Sequence, residues 1–459
     1  MFIPLVLASP DPAAAMTYNV VSLGAKADGT TDSTQAFVSA WTKACGSTNP
    51  AMIYVPVGRF YLRQVMFNGP CNNNAIIMRI AGTLVAPSDY SVLGNTANWL
   101  VFEHVDGVTI SGGVLDAQGT ALWACKASGN TCPAGATTLE FSNSNNIVVS
   151  ALSSLNSQMF HIVVNGCQNV KMQGIGVTAD GNSPNTDGIH VQLSSSVTIL
   201  DSKIKTGDDC ISIGPGTTNL WIENVECGPG HGISQMFHIV VNGCQNVKMQ
   251  GIGVTADGNS PNTDGIHVQL SSSVTILDSK IKTGDDCISI GPGTTNLWIE
   301  NVECGPGHGI SIGSLGKDQQ EAGVQNVTVK TITFTNTQNG VRIKSWGRPS
   351  NGFAKNILFQ HAVMMNVQNP IVIDQNYCPN NKGCPGQVSG VKISDVTYQD
   401  IHGTSATEVA MKFDCSSGNP CSNIRLEDVK LTYNNQAAQA SCNHAAGTST
   451  GFVQPTSCL

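Results

Sequence analysis

The sequence predicts an all-β chain: a single right-handed parallel β-helix, or solenoid, with a short N-terminal capping helix. Two observations carry this. First, a phrase recurs in which an Asn or other small residue precedes alternating apolar positions: "NIVVSALSS" at Asn146, "NVKMQGIGV" at Asn169, "SVTILDSKI" at Ser196, "NLWIENVEC" at Asn219, "NVTVKTITF" at Asn326, "NILFQHAVM" at Asn356, "GVKISDVTY" at Gly390 and "NIRLEDVKL" at Asn423. Apolar residues at every second position mark a strand with one buried face, so each phrase reads as one half-buried strand. Second, the phrases step mostly by 23 to 34 residues. That is too short for a helix between every pair of strands and too regular for stacked hairpins, whereas a solenoid fits both facts. The composition agrees, with 48 Gly, 6% aromatic and 12% charged residues among 459: many short strands joined by tight turns.

In chain order, residues 1–15, "MFIPLVLASPDPAAA", pair a short apolar stretch with an Ala-rich end, as a signal peptide or a trimmed one does, although no basic n-region precedes it. The β-helix domain then occupies 16–459. Its open first coil would be a sticky sheet edge. Residues 32–45, "DSTQAFVSAWTKAC", supply a helical cover, with Asp32 or Ser33 as N-cap and Ala36, Phe37, Ala40, Trp41 and Ala44 on one stripe. The Asn residues that open the phrases would stack from coil to coil in a ladder and satisfy the turn backbone.

Residues 157–233 and 234–310 are identical, a period of 77 within which the phrases step by 27, 23 and 27. The block is therefore three whole coils. A solenoid absorbs whole coils because each turn touches only its neighbours, and three coils add about 14 Å at about 4.8 Å each.

The net charge of -8 and pI near 5.6 argue against nucleic acid as a partner, since phosphate binding wants a basic face. No apolar run approaches the roughly 18 residues of a membrane span. Sixteen Cys point to an oxidising compartment; structural zinc is the competing reading, but no CxxC pair or His-x3-His spacing accompanies them. The sequon Asn326-Val327-Thr328 fits secretion.

Chemistry concentrates in the second copy of the block. Asp264, the pair Asp285 and Asp286, and His308 follow one another at about one coil, and residues one coil apart can stack on one sheet face. In "NGVRIKSW", alternation sends Arg342 and Lys344 to the same side of a strand. Singly, an Asp-Asp pair reads as turn chemistry, Gly-His-Gly as a tight bend and Arg-Ile-Lys as a solvated face. Together they make a cleft of three carboxylates, an imidazole and two cations. Hydrolysis of a glycosidic bond needs such a set, one carboxylic acid to protonate the leaving oxygen and one carboxylate to activate water. Crowding three Asp should raise the pKa of at least one, and the cations would attract an anionic sugar.

In this order, "NTDG", "GDDC", "GPGHGIS" and "GVRIK" resemble the four signature segments of the plant polygalacturonases, the pectin hydrolases of glycoside hydrolase family 28. The resemblance runs from "YNVVSLGAKADGTTDSTQAF" through "VIDQNYC" to "GTSATEVAMKFDCSS". It implies a parallel β-helix secreted to the cell wall as a monomer, using no metal or other cofactor. Its partner would be homogalacturonan, with neither nucleic acid nor membrane, and it would cleave the α-1,4 bonds with inversion. By the same resemblance Asp285 is the general acid, Asp264 and Asp286 hold the attacking water, and His308 tunes the acid. Arg342, Lys344 and Tyr377 would bind the substrate. Disulfides are implied for Cys287 with Cys304 and Cys210 with Cys227, then 45 with 71, 125 with 132, 378 with 384, 415 with 421 and 442 with 458. Cys167 and Cys244 are left as buried small hydrophobes.

The second copy runs directly into Arg342 and Lys344, whereas the first is followed by another "NTDGIH", which would set Asp264 near the place of the cations. Asp187, Asp208, Asp209 and His231 are therefore expected to be a relict. Three alternatives stay open: exo-acting cleavage by the same machinery, a pectin-binding wall protein whose interrupted cleft no longer cuts, and a lyase on the same kind of solenoid.

Overall fold

The inward positions of the recurring phrases stack on one another from coil to coil. Val197 is paired with Leu220, Leu220 with Val247 and Val247 with Val274, and the same column continues through Leu297, Val327, Ile357, Val396 and Ile424, all parallel. Each of these side chains is buried, and burying one aliphatic side chain of this size stabilises by about 1.5–3 kcal/mol. A strand whose alternate residues all join such a column has its register fixed, because a one-residue slip would turn every one of them to water. The result is the parallel β-helix.

The computed structural model describes residues 16–228, 236–379 and 382–459; the N-terminal segment read as a signal peptide and His231 lie outside them. The chain divides into two compact units, one up to Thr178 and one from Ala179. In the first unit, strands Asn145–Ser150 and Gln168–Gln173 pair in parallel, placing Ile147 beside Val170. The capping helix α1, Thr34–Gly46, belongs to this unit and buries Ala36, Phe37, Ala40, Trp41 and Ala44, the stripe expected from its spacing. Ser33 stands at the cap position, but the accepting side chain is that of Asp32, whose Oδ1 receives the Thr34 N–H at 2.9 Å. Trp41 donates its indole N–H to the Asn68 carbonyl at 3.0 Å and meets Phe67 and Phe102 edge-on at 5.3 and 5.6 Å. A second helix, α2 at Thr120–Ala127, was not foreseen; it buries Leu122 and Trp123.

Six of the eight phrases form the single strands expected, and two divide in mid-phrase. In the first unit Asn145–Ser150 is followed by a separate strand Ser153–Leu155, with Ala151 between them at φ 53°. In the second, Thr218–Cys227 stays one strand but bends at Asn224, φ 53°. One left-handed residue redirects the chain in mid-phrase, and the inward positions step by three there, from Val149 to Leu152 and from Ile222 to Val225, before the period of two resumes.

The Asn ladder is present. Asn169 donates to Asn146 at 2.6 Å in the first unit; in the second, Asn246 donates to Asn219 at 2.6 Å, Asn326 to Asn296 at 3.0 Å and Asn356 to Asn326 at 3.3 Å. All of these Asn have positive φ between 54° and 59°, a conformation Asn tolerates better than other side chains. The amide nitrogen of the Asn326 sequon is thus already committed to the ladder. Seven disulfides join the expected pairs, and Cys167 and Cys244 remain as buried thiols. Burial pushes both thiols up, Cys244 to about 11, so neither is a ready nucleophile.

Candidate active site

Four consecutive parallel strands of the second unit carry the site: Thr263–Gln269, Ile288–Ile290, Ile310–Leu315 and Asn339–Trp346. Their register aligns Ile266, Ile288, Ile310 and Val341 in one buried column. The next residue of each strand points the other way, which aligns His267, Ser289, Ser311 and Arg342 along the opposite face. Lys344 follows Arg342 two positions on. Asp285 and Asp286 end the turn before the second strand, and His308 precedes the third.

Asp286 is the most enclosed of the acids, 1% exposed. Its Oδ1 accepts from Arg342 Nη2 at 2.9 Å and from Ser311 Oγ at 2.6 Å, and its Oδ2 from Lys344 Nζ at 2.9 Å. Burial pushes this carboxyl upward, but Lys344, Arg342 and the Ser311 hydroxyl more than offset it and hold the pKa at about 2. Asp264 has the opposite balance. Burial and the charges of Asp286 and Asp285 raise it well above the carboxylate range, against the lowering effect of the Ser289 hydrogen bond and Lys344. Its Oδ2 accepts from Ser289 Oγ at 2.5 Å, and its Oδ1 from the backbone N–H of Asp286 at 3.2 Å. That same N–H lies 2.8 Å from Asp285 Oδ1. The Asp285 carboxylate also meets His308 Nδ1 at 2.8 Å, while the His308 N–H donates to the Asp285 carbonyl at 2.7 Å.

Tyr377, on the strand Asn369–Tyr377, packs edge-on against Trp346 at 5.5 Å, with Lys344 Nζ 5.2 Å above its ring. All seven residues singled out for chemistry, four in the second copy and three beyond it, therefore belong to this unit. The donor atoms of Asp285, Asp286 and His308 fall within 4.8 Å of one another. The Asp286 oxygens, however, are held by two cations and a hydroxyl, and Asp285 Oδ1 by His308, which makes this a charge-paired acid cluster rather than a ligand set.

The sequence pattern of glycosyl hydrolases family 28 matches this chain twice, over residues 45–235 and 234–453. The chain belongs to glycosyl hydrolase family 28. A polygalacturonase of Prunus persica is 64% identical over 97% of this chain and 94% of its own length. An exopolygalacturonase of Platanus acerifolia is 36% identical over 95% and 96%. The A-module of a mannuronan C-5 epimerase from Azotobacter vinelandii shares the fold at a TM-score of 0.53 and 14% identity, covering 83% of this chain and 99% of its own.

The two family 28 matches meet at the seam of the duplication, and the two copies of the acid cluster differ there. In the first copy, Ser212 is followed one coil on by Val240 and two coils on by His267, where Ser289 is followed by Ser311 and Arg342. Gln269 holds the strand position that corresponds to Lys344. The register thus sets His267 and Gln269, rather than Asp264, in the place of the cations. Burial and Asp187 raise Asp208 to about 6, against backbone hydrogen bonds from Asp209 and Asn185. Burial, Asp187 and Asp208 raise Asp209 well above the carboxylate range.

Sequence reasoning missed Ser289, Ser311 and His267. The alternation that placed Arg342 and Lys344 on one face places all three there as well, but Ser is too common in turns and strands to stand out.

Proposed function

We propose that this family 28 hydrolase is a polygalacturonase that cleaves the α-1,4 bonds of de-esterified homogalacturonan with inversion, working through its second copy. The observation that carries the reading is Asp286 held ionised between Arg342 and Lys344, beside an Asp264 whose affinity for a proton is raised by burial and by the neighbouring acids and an Asp285 bonded to His308. Asp285 is the acid that protonates the leaving oxygen, and Asp264 and Asp286 hold and activate the attacking water. A galacturonate carboxylate entering the site competes with Asp286 for Arg342 and Lys344, with Tyr377 walling the same pocket. Binding substrate frees Asp286 from its cations and raises its basicity at the step that needs a base.

Seven disulfides and the peach relative support secretion to the cell wall. The test is to incubate the purified chain with de-esterified polygalacturonate and chromatograph the products over time. Saturated galacturonate mono- or oligomers are expected, their size separating chain-end from internal attack. A folded chain that releases none would contradict the reading, and unsaturated products would replace it with a lyase.

A further inference from the structure

Behind Asp264 runs a short chain of hydrogen bonds. Its Oδ2 lies 2.5 Å from Ser289 Oγ, and the same Oγ lies 2.7 Å from His267 Nδ1. Ser289 is 3% exposed, while the His267 ring is partly exposed and stacks on Phe237, centroids 4.5 Å apart and planes 24° apart. A hydroxyl has one proton to donate, so Ser289 can donate to only one of the two, and a proton passes along the chain when both bonds run in the same sense.

We propose that Asp264, Ser289 and His267 form a proton relay in which His267 is a positioning residue that sets, through Ser289, when Asp264 is ionised. The proposal rests on the hydrolase reading for its use, but not for its existence. With Asp264 ionised, Ser289 donates to Oδ2 and the ring donates to Ser289 from Nδ1–H. With Asp264 protonated, its O–H donates to Ser289, Ser289 donates to Nδ1, and the ring proton sits on Nε2. One proton entering at Nε2 thus leaves one on Asp264, by a hop from Nδ1 to Oγ and another from Oγ to Oδ2. Run in reverse, the relay discharges the proton that Asp264 takes from the attacking water.

The ring must be neutral for this. Burial holds His267 below the usual imidazole range, with the Gln269 hydrogen bond and Asp286 acting upward and Lys344 downward. The charged groups facing the relay are Asp285 and Asp286 from the turn before Ile288–Ile290, and Lys344 from Asn339–Trp346. The strand Met236–Asn242 contributes the Phe237 ring. In the sequence-identical first copy, the ring of His190 instead stands with Nδ1 3.7 Å from Asp187 Oδ2.

The test uses the full chain with labelled imidazole nitrogens. Wild type, His267→Phe, Ser289→Ala and the double variant are titrated from about pH 4 to 8 by nitrogen NMR and, in parallel, by the pH profile of kcat/KM on polygalacturonate. Phe keeps a ring against Phe237, so His267→Phe removes little besides the hydrogen bond. In wild type the neutral His267 ring is expected to change from the Nδ1–H to the Nε2–H tautomer as Asp264 takes its proton, and Ser289→Ala abolishes the change. Losing the charge-assisted chain makes Asp264 harder to ionise, so the acid limb moves to higher pH by at least about half a unit in each single variant, and no further in the double. A tautomer that ignores pH, a change that survives Ser289→Ala, or an acid limb that stays or moves down would overturn the relay. If wild type releases no product, the hydrolase reading fails and the tautomer result alone decides the relay.

Discussion

Asp286 and Asp209 occupy the same position in identical blocks, yet one is held near pKa 2 and the other well above the carboxylate range. The difference comes from neighbours outside the block: Ser311, Arg342 and Lys344 for Asp286, and the register of Val240, His267 and Gln269 after Ser212 for Asp209. The depressed Asp286 stabilises the fold above the ordinary carboxylate pKa, and that contribution is lost as pH falls through about 2. The raised first-copy acids do the reverse. Asp208 keeps its proton up to about 6 instead of 3.8, so between those values the folded chain binds more protons than the unfolded one, and stability falls as pH rises. Asp208→Asn removes that burden. Calorimetry at pH 7 should show it more stable than wild type by on the order of 3 kcal/mol, from about 1.4 kcal/mol per pKa unit, with the advantage gone at pH 4. An equal effect at both pH values, or a loss at pH 7, would contradict the account.

At the scale of elements, the turns hold the chemistry in place and the strands set its spacing. Gly309, at φ 88°, follows His308, and a Cβ there would sit 2.1 Å from the Asn339 carbonyl oxygen and 2.4 Å from that of Gly340. Those carbonyls begin the strand that carries Arg342 and Lys344, and Asn339 Nδ2 in turn donates to the His308 carbonyl at 3.1 Å. Gly309→Ala would push the cation strand away from the acids. A displacement near 1 Å can lower turnover by roughly 100-fold, so steady-state assays should show a fall of that order with the parallel β-helix retained by circular dichroism; a wild-type rate would show that the close approach is not needed. The sequence exposed the strands because alternation is a direct consequence of burying one face. It all but hid the mid-phrase turns at Ala151 and Asn224, which show only as one step of three between inward positions, Val149 to Leu152 and Ile222 to Val225. It also hid α2, whose buried side chains Leu122 and Trp123 are too few to set up a helical period.

For the whole molecule, the duplication is the feature on which the proposed function turns. Period and boundaries are plain in the letters, and so is the solenoid logic that lets three coils be repeated. The letters alone could not give the register across the seam. Counting motifs sets Asp264 in the place of the cations; strand pairing puts His267 and Gln269 there, because "HGI" of the first copy runs into "SQMFHIVVN" of the second and Ile239 becomes the residue paired with Ile211. Either way, the first-copy acids have no counterpart of Arg342 and Lys344 at those strand positions, and a polyanionic substrate would meet uncompensated carboxylates there. The account's central claim is that one of the two identical acid clusters works. The most direct measurement is the rate of polygalacturonate hydrolysis by Asp285→Asn and Asp208→Asn, each made alone in the full chain. The account predicts a loss of at least about 1,000-fold for Asp285→Asn, as befits removal of a general acid, and a rate within about twofold of wild type for Asp208→Asn. A severe loss in Asp208→Asn with activity kept in Asp285→Asn would contradict it.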